Sequence, residues 1–272
     1  MKTRRSTTTN SATLHVLWVT IEALSALFET AKYYLRVVLV WTWFMIASGI
    51  SMTLLPFRWK DSSLSHTMAK ILAWGALPIL GCRTRIEGLD VALASQPCIY
   101  TPIHQSNLDM MTLGNLFPPR TVIIGKKQIR WVPLFGLFFV GAGNIMINRK
   151  DRKNSIAGLD QAAASVRARQ VSVWIFPEGT RNHGAATLLP FKKGPFHLAI
   201  MAQVPIVPVV SQRLTTYIDK DKKRTYPKEI RVRVLEPIST IGLTVQDVDS
   251  LLLKVRTQME LAMQDPVFGF VD

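Results

Sequence analysis

The chain has 272 residues, enough for one large domain or one domain with an appendage. Its 48% apolar content and mean hydropathy of +0.19 stand above those of an ordinary soluble domain, and 33 Lys and Arg against 18 Asp and Glu give a net charge of +15. Two cysteines, Cys82 and Cys98, exclude a disulfide framework, and five histidines without an i,i+4 pair or a Cys partner imply no metal.

Residues 1–10 are Ser/Thr-rich and basic, which predicts a disordered tail. An apolar run over 14–28 follows, broken by Glu22, and then residues 37–57 pass without a charge. The second run is long enough to cross a bilayer as a helix. The first is too short to span comfortably, which leaves a tilted partner, half of a hairpin or an interfacial helix. A signal peptide competes for the N-terminus, since Lys2, Arg4 and Arg5 precede the apolar segment, but the second run favours a retained anchor. Lys32 and Arg36 precede that run and Arg58 and Lys60 follow it, so charge leaves the orientation open. The division is thus a tail (1–10), membrane-anchoring helices (11–60) and a globular domain (61–272).

Residues 64–80 read as a mostly apolar helix. From about 83 the pattern alternates, with short apolar or β-branched runs at 98–103, 121–125, 144–148, 171–176, 204–210 and 230–235. Helical patterns lie between most of them, as at 155–169 and 188–202, and an amphipathic helix over 245–263 closes the domain. Continuous apolar strands imply burial on both faces. The predicted class is α/β, a single mixed, largely parallel sheet covered by helices, with an N-terminal helical membrane anchor.

Within this frame, "IHQSNLDM" (103–110) sets His104 and Asp109 five positions apart. That spacing puts them on different faces of a helix and on opposite sides of a strand, so they meet only if the chain turns between them. Ser106 and Asn107 are N-cap residues before a helical "LDMMTLGNLF", which predicts a strand ending at Ile103, His104 at its mouth and Asp109 in the first helical turn. A carboxylate on one imidazole nitrogen fixes the tautomer and makes the other a better base. The alternative is a loop histidine beside a surface acid. In "VWIFPEGTRNHG" (173–184) an apolar strand runs into Glu178, Gly179, Thr180 and Arg181; the glycine permits a tight turn and the arginine offers a planar fork for phosphate. "GNIMINRK" places Arg149 and Lys150 after a strand, and "TVIIGKK" does the same for Lys126 and Lys127. If these strands run parallel, His104, Lys126, Arg149 and Arg181 converge on one edge of the sheet. A base beside several cations reads as deprotonation of a hydroxyl on a phosphate-bearing substrate. Pro205 and Pro208 in "QVPIVPVV" read as structural.

The ordered set "IHQSNLD", "GKK", "GNIMINR", "FPEGTRN" and "VPIVPV" resembles the glycerolipid acyltransferase family, and within it the 1-acylglycerol-3-phosphate acyltransferases. The resemblance is dense over 98–210. It implies that 61–272 is the catalytic domain and that His104 is the general base on the sn-2 hydroxyl of lysophosphatidic acid, oriented by Asp109. It further implies that Lys126, Arg149 and Arg181 hold the acceptor phosphate, with Glu178, Gly179 and Thr180 shaping the pocket. The implied donor is acyl-CoA or acyl-carrier protein as co-substrate, with no cofactor and no covalent enzyme intermediate. Two positions depart from the pattern: Ile103 stands where the family often has Asn, and Asn148 where it favours Asp. The net charge fits an anionic membrane surface. A nucleic-acid partner is not implied, because no recognised module is present and the long apolar run argues for lipid. A serine hydrolase lacks its Gly-x-Ser-x-Gly elbow. A phospholipid transacylase or a non-enzymatic basic membrane-surface protein remain as alternatives. The expected location is the cytosolic face of a membrane, integral or monotopic: the bacterial inner membrane, or the endoplasmic reticulum in a eukaryote.

Overall fold

The computed structural model describes residues 7–147, 152–183 and 187–270. A 47-residue helix, α1 (Thr7–Thr53), opens the chain. At about 1.5 Å per residue it is roughly 70 Å long. The two apolar runs are therefore one continuous helix rather than a hairpin. Thr7–Asn10 already belong to it, and the rest of the expected tail, 1–6, lies outside the described residues.

Along α1 two series diverge. Leu17, Leu24, Phe28, Leu35, Leu39 and Ile46, spaced by seven and four, fall on one helical face, and all are exposed. Glu22, Glu29, Arg36, Val40, Ala47 and Ser51 occupy a second face, roughly 120° around the helix, where the last three are buried. Val40, Phe44 and Ala47 pack with Leu64, Leu72 and Phe138, so the C-terminal half of the expected anchor belongs to the core of the globular part. Burying each of the larger side chains contributes about 1.5–3 kcal/mol.

After α1 come α2 (Ser63–Leu80), β1 (Arg83–Glu87), α3 (Leu89–Ala94), β2 (Ile99–Pro102), α4 (Asp109–Thr112), β3 (Thr121–Lys126), α5 (Phe135–Gly141) and β4 (Ile145–Ile147). Then follow α6 (Arg152–Arg169), β5 (Ser172–Trp174), α7 (Gly194–Ala202), β6 (Ile206–Ser211), β7 (Ile218–Asp219), β8 (Arg224–Thr225), β9 (Glu229–Val234) and α8 (Val248–Met263). Seven strands form one sheet in the order β1-β9-β6-β2-β5-β3-β4, and β7 and β8 form a separate hairpin. The five strands from β6 to β4 are mutually parallel, while β9 is antiparallel to β6 and parallel to β1. The sheet is thus mixed and largely parallel, and helices α6, α7 and α8 bury one face through Ala162, Phe196 and Val255.

This topology positions the site. β2, β3 and β5 are parallel neighbours, so the loops after them open on one edge: His104 after β2, Lys126 at the end of β3, and Glu178 to Arg181 after β5. Arg149 and Asn148 lie outside the described residues. Ile103 is a buried core residue beside Ile99 and Val173, which accounts for an apolar side chain there.

Candidate active site

The backbone leaves β2 at Pro102 and turns through 103–108 before the single turn of α4. Asp109 opens that turn and is 3% exposed. Its Oδ2 accepts from the His104 ring at Nδ1, 2.7 Å away, and from the backbone N–H of Gln105 at 2.8 Å. Its Oδ1 accepts from the Ser106 N–H at 3.1 Å. Asp109 itself, rather than Ser106 or Asn107, therefore closes the turn: α4 has Leu108 at its N-cap with no side-chain capping bond, and the Ser106 hydroxyl accepts from Leu108 N–H. Burial pushes the Asp109 carboxyl above the usual range, while the hydrogen bonds from His104, Ser106 and Gln105 pull it back. Three N–H groups converging on two oxygens are all satisfied by the carboxylate. The His104 ring stacks on Phe176 with centroids 3.9 Å apart and 19° between planes, and is 22% exposed. With Nδ1 occupied, Nε2 is the nitrogen left for a substrate.

Glu178 braces the same histidine from behind. It is 1% exposed; Oε1 accepts from the His104 backbone N–H at 2.9 Å and Oε2 from Leu189 N–H at 3.0 Å. Burial raises its pKa, opposed by those two bonds. Gly179 sits at φ +71°, a left-handed turn that glycine adopts without strain. That turn brings Asn182 N–H onto His104 O at 2.8 Å and Arg181 Nη1 onto Asn107 Oδ1 at 2.5 Å.

In front of His104 lies a chamber of about 350 Å³, lined by Met68, Leu72, Met111, Phe135, Phe138 and Phe139, among others. Lys126, Gly179, Thr180 and Arg181 line it together with His104 and Asp109. A base and two cations thus border an apolar cavity, an arrangement suited to an amphiphile with an anionic head.

Residues 83–212 match the family model described as Acyltransferase. The chain is 34% identical to the mouse 1-acyl-sn-glycerol-3-phosphate acyltransferase alpha over 85% of its own length and 81% of that protein's. The chain belongs to the 1-acyl-sn-glycerol-3-phosphate acyltransferase family. Among other relatives of that name, the Saccharomyces cerevisiae protein is 34% identical over 84% of this chain and 76% of its own. The Haemophilus influenzae protein is 39% identical over 60% and 66% respectively. The crystal structure of the 1-acyl-sn-glycerophosphate (LPA) acyltransferase PlsC from Thermotoga maritima superposes with a TM-score of 0.65. It covers 89% of this chain and 96% of its own, and at 19% identity it shows the shared fold.

The structure of this acyltransferase brings seven of the eight residues singled out from sequence to one place; Arg149 is the eighth, outside the described residues. Glu178 does not reach the chamber and acts through the His104 backbone. Sequence reasoning passed over Gln105. It is 1% exposed, its amide nitrogen donates to Ser211 Oγ at 3.0 Å and Gln212 O at 2.9 Å, and its carbonyl accepts from Leu214 N–H at 2.9 Å. Gln105 thereby stitches the histidine loop to the end of β6. Its one sequence signal is its place beside the base.

Proposed function

We propose that this chain transfers an acyl group from a thioester donor, acyl-CoA or acyl-carrier protein, to the sn-2 hydroxyl of lysophosphatidic acid, giving phosphatidic acid. The observation that carries the reading is the His104–Asp109 pair set at the rim of an apolar chamber bordered by Arg181 and Lys126. His104 Nε2 takes the hydroxyl proton as the oxygen attacks the thioester carbonyl carbon. The carbon–sulfur bond then breaks, and the imidazolium returns the proton to the departing thiolate, so no acyl-enzyme forms. Asp109 stabilises the imidazolium while it exists. The chamber takes acyl chain, and Arg181 and Lys126 take the acceptor phosphate. Arg149 joins them by resemblance. Supplying a panel of thioesters with lysophosphatidate, and glycerol 3-phosphate as rival acceptor, tests this directly. Release of free thiol in step with phosphatidate is expected, and acyl transfer from a phospholipid with no thioester present would overturn it.

Asn107 holds one guanidinium nitrogen of Arg181. The others remain to grip a phosphate in a planar fork, which an ammonium cannot reproduce. Arg181→Lys is expected to raise the KM for lysophosphatidate about tenfold, the effect of one weakened charged hydrogen bond, with kcat little changed. An unchanged acceptor KM would remove Arg181 from phosphate binding.

The two series on α1 support a membrane-bound enzyme whose long helix lies along the bilayer interface. The Leu17–Ile46 face then meets lipid, while Glu22, Glu29 and Arg36 point to the side that carries the domain. A spanning arrangement would carry Glu22 into hydrocarbon, at a cost of about 2.5–3.5 kcal/mol. Exposed Trp131, with Arg130 5.1 Å from its ring centroid, and exposed Trp59 beside Arg58 suit the headgroup level. Cys82 and Cys98 are buried, so single cysteines report position cleanly. With the domain outside sealed vesicles, an impermeant maleimide should label Ser25→Cys quickly and Leu24→Cys slowly. Equal protection of both would rule out the in-plane helix.

A further inference from the structure

On the acyl-transfer reading above, attack of the acceptor oxygen on the thioester carbonyl carbon forms a carbon–oxygen bond and moves one electron pair onto the carbonyl oxygen. His104 Nε2 takes the hydroxyl proton, so the carbonyl oxygen carries negative charge until the carbon–sulfur bond breaks. A donor fixed in advance beside that oxygen is usually the largest single contribution to such a step. His104, Asp109, Lys126 and Arg181 supply a base, its orienter and two cations for the acceptor phosphate, which leaves this oxygen without a donor.

Among the described residues, few side chains at the chamber fit the role. Ser65 and Asn144 line it, but the Ser65 hydroxyl donates to Asn144 Oδ1 at 3.1 Å and Ile123 N–H donates to the same oxygen at 2.7 Å. Ile123 stands three residues before Lys126 on β3, about 10 Å along the strand below the edge that carries His104. That pair is too deep to meet the reacting carbon. The hydroxyls of Ser106 and Thr180 are nearer, yet a hydroxyl hydrogen rotates, so no donor direction is set in advance.

Asn107 differs. It lines the chamber three residues after the base, and its side chain caps no helix, because α4 takes no side-chain capping bond. Its Oδ1 accepts from Arg181 Nη1 at 2.5 Å. A guanidinium only donates, so this bond fixes which end of the amide is oxygen and leaves the NH₂ as the end that can meet a substrate. The neighbouring cation also draws electron density toward Oδ1, which strengthens the two N–H donors. Base and amide share one frame, since Asn182 N–H in the Arg181 turn donates to His104 O at 2.8 Å and Phe176 stacks on the His104 ring.

We propose that Asn107 is a catalytic residue whose amide NH₂ donates to the thioester carbonyl oxygen as that oxygen becomes an oxyanion. The electron pair returns to re-form the carbonyl as the carbon–sulfur bond breaks, and the proton on His104 passes to the thiolate. Arg181→Lys leaves an ammonium to donate to Asn107 Oδ1, so its effect stays on the acceptor KM.

Single-turnover transfer from acyl-CoA to saturating lysophosphatidate, measured on the full-length protein in detergent, reads the chemical step. Asn107→Ala and Asn107→Asp should each slow it about 10²- to 10³-fold, the usual loss of one oxyanion donor. The first also frees Arg181, whereas the second keeps an acceptor for it but has no hydrogen to give at neutral pH. Asn107 is exposed, so both variants should melt like the wild type. An acyl dithioester of CoA, with C=S in place of C=O, separates donation to the carbonyl from support of Arg181. Sulfur is a weak acceptor, so with this donor the wild type and the variants should differ by no more than about threefold. A wild-type rate in the variants, a defect confined to the acceptor KM, or an undiminished defect with the dithioester would each overturn the proposal while acyl transfer stands. No transfer by the wild type from any thioester would sink the functional reading, and the proposal with it.

Discussion

His104→Ala should lower turnover by about 10²- to 10⁴-fold, the range of a lost general base, while the protein stays folded and membrane-bound. The fold is expected to tolerate the change because the ring is outside the main core. It leans on Phe176 at the chamber rim and is partly exposed, whereas the loop around it is fixed by main-chain groups. His104 N–H on Glu178 and His104 O accepting from Asn182 N–H both survive the substitution. Saturating-substrate kinetics with a melting curve on the same preparation check the claim. If the chemical step limits the wild type, kcat and kcat/KM should fall together, because the base acts in the transition state. A variant with near-normal kcat and an intact melt would remove His104 as the base and with it the mechanism.

How much of this was legible beforehand depends on whether the signal was local. The sheet's interior strands announced themselves as apolar runs because both their faces are covered; β2 and β6 are buried at every position. The edge strand β1, "RTRIE", went unseen, since no position in it is fully buried and three are charged. The two-residue strands of the hairpin carry no period at all. The helical pattern over 188–202 outruns the helix, which starts at Gly194, with Pro195 in its first turn, after an irregular stretch. α4 stops at Thr112 rather than running to 117, and Gly114 then approaches Ala69 O so closely that a Cβ there would sit 2.3 Å from it. α1 shows the reverse error. Charges at 22, 29, 32 and 36 interrupt hydropathy, but helices are broken by Pro and Gly, and 7–48 contains neither.

At the site the charged members were readable because the motif residues follow strand ends. The bracing residues were not. Gln105 finds Leu214 across 109 positions, and Glu178 finds both the His104 backbone and Leu189, contacts created by the sheet order.

Asp109→Asn should separate activity from stability. His104 Nδ1 and the Gln105 and Ser106 N–H groups all reach Oδ2, so the asparagine sets its amide oxygen there and its NH₂ at the Oδ1 position. The tautomer is then kept, but a neutral amide no longer stabilises the imidazolium that forms as Nε2 takes the hydroxyl proton. A loss on the order of 10- to 10²-fold in kcat is expected, the weakening of one charged hydrogen bond to the imidazolium. Stability runs the other way. Burial holds the Asp109 pKa above its unfolded value, so the folded state binds the proton more tightly than the unfolded one. Its contribution is most favourable below the unfolded pKa and declines as pH rises through the folded pKa, leaving the charged form's full cost at neutral pH. Asn cannot ionise and escapes that cost. The variant should therefore melt no lower than wild type at pH 7, and any advantage should shrink as acid protonates Asp109. Glu178 is raised in the same direction but is present in both proteins, so it cancels in the difference. Wild-type turnover in the variant would remove the Asp109 charge from catalysis. A melting difference that fails to close in acid would mean that the buried charge is not what distinguishes the two proteins.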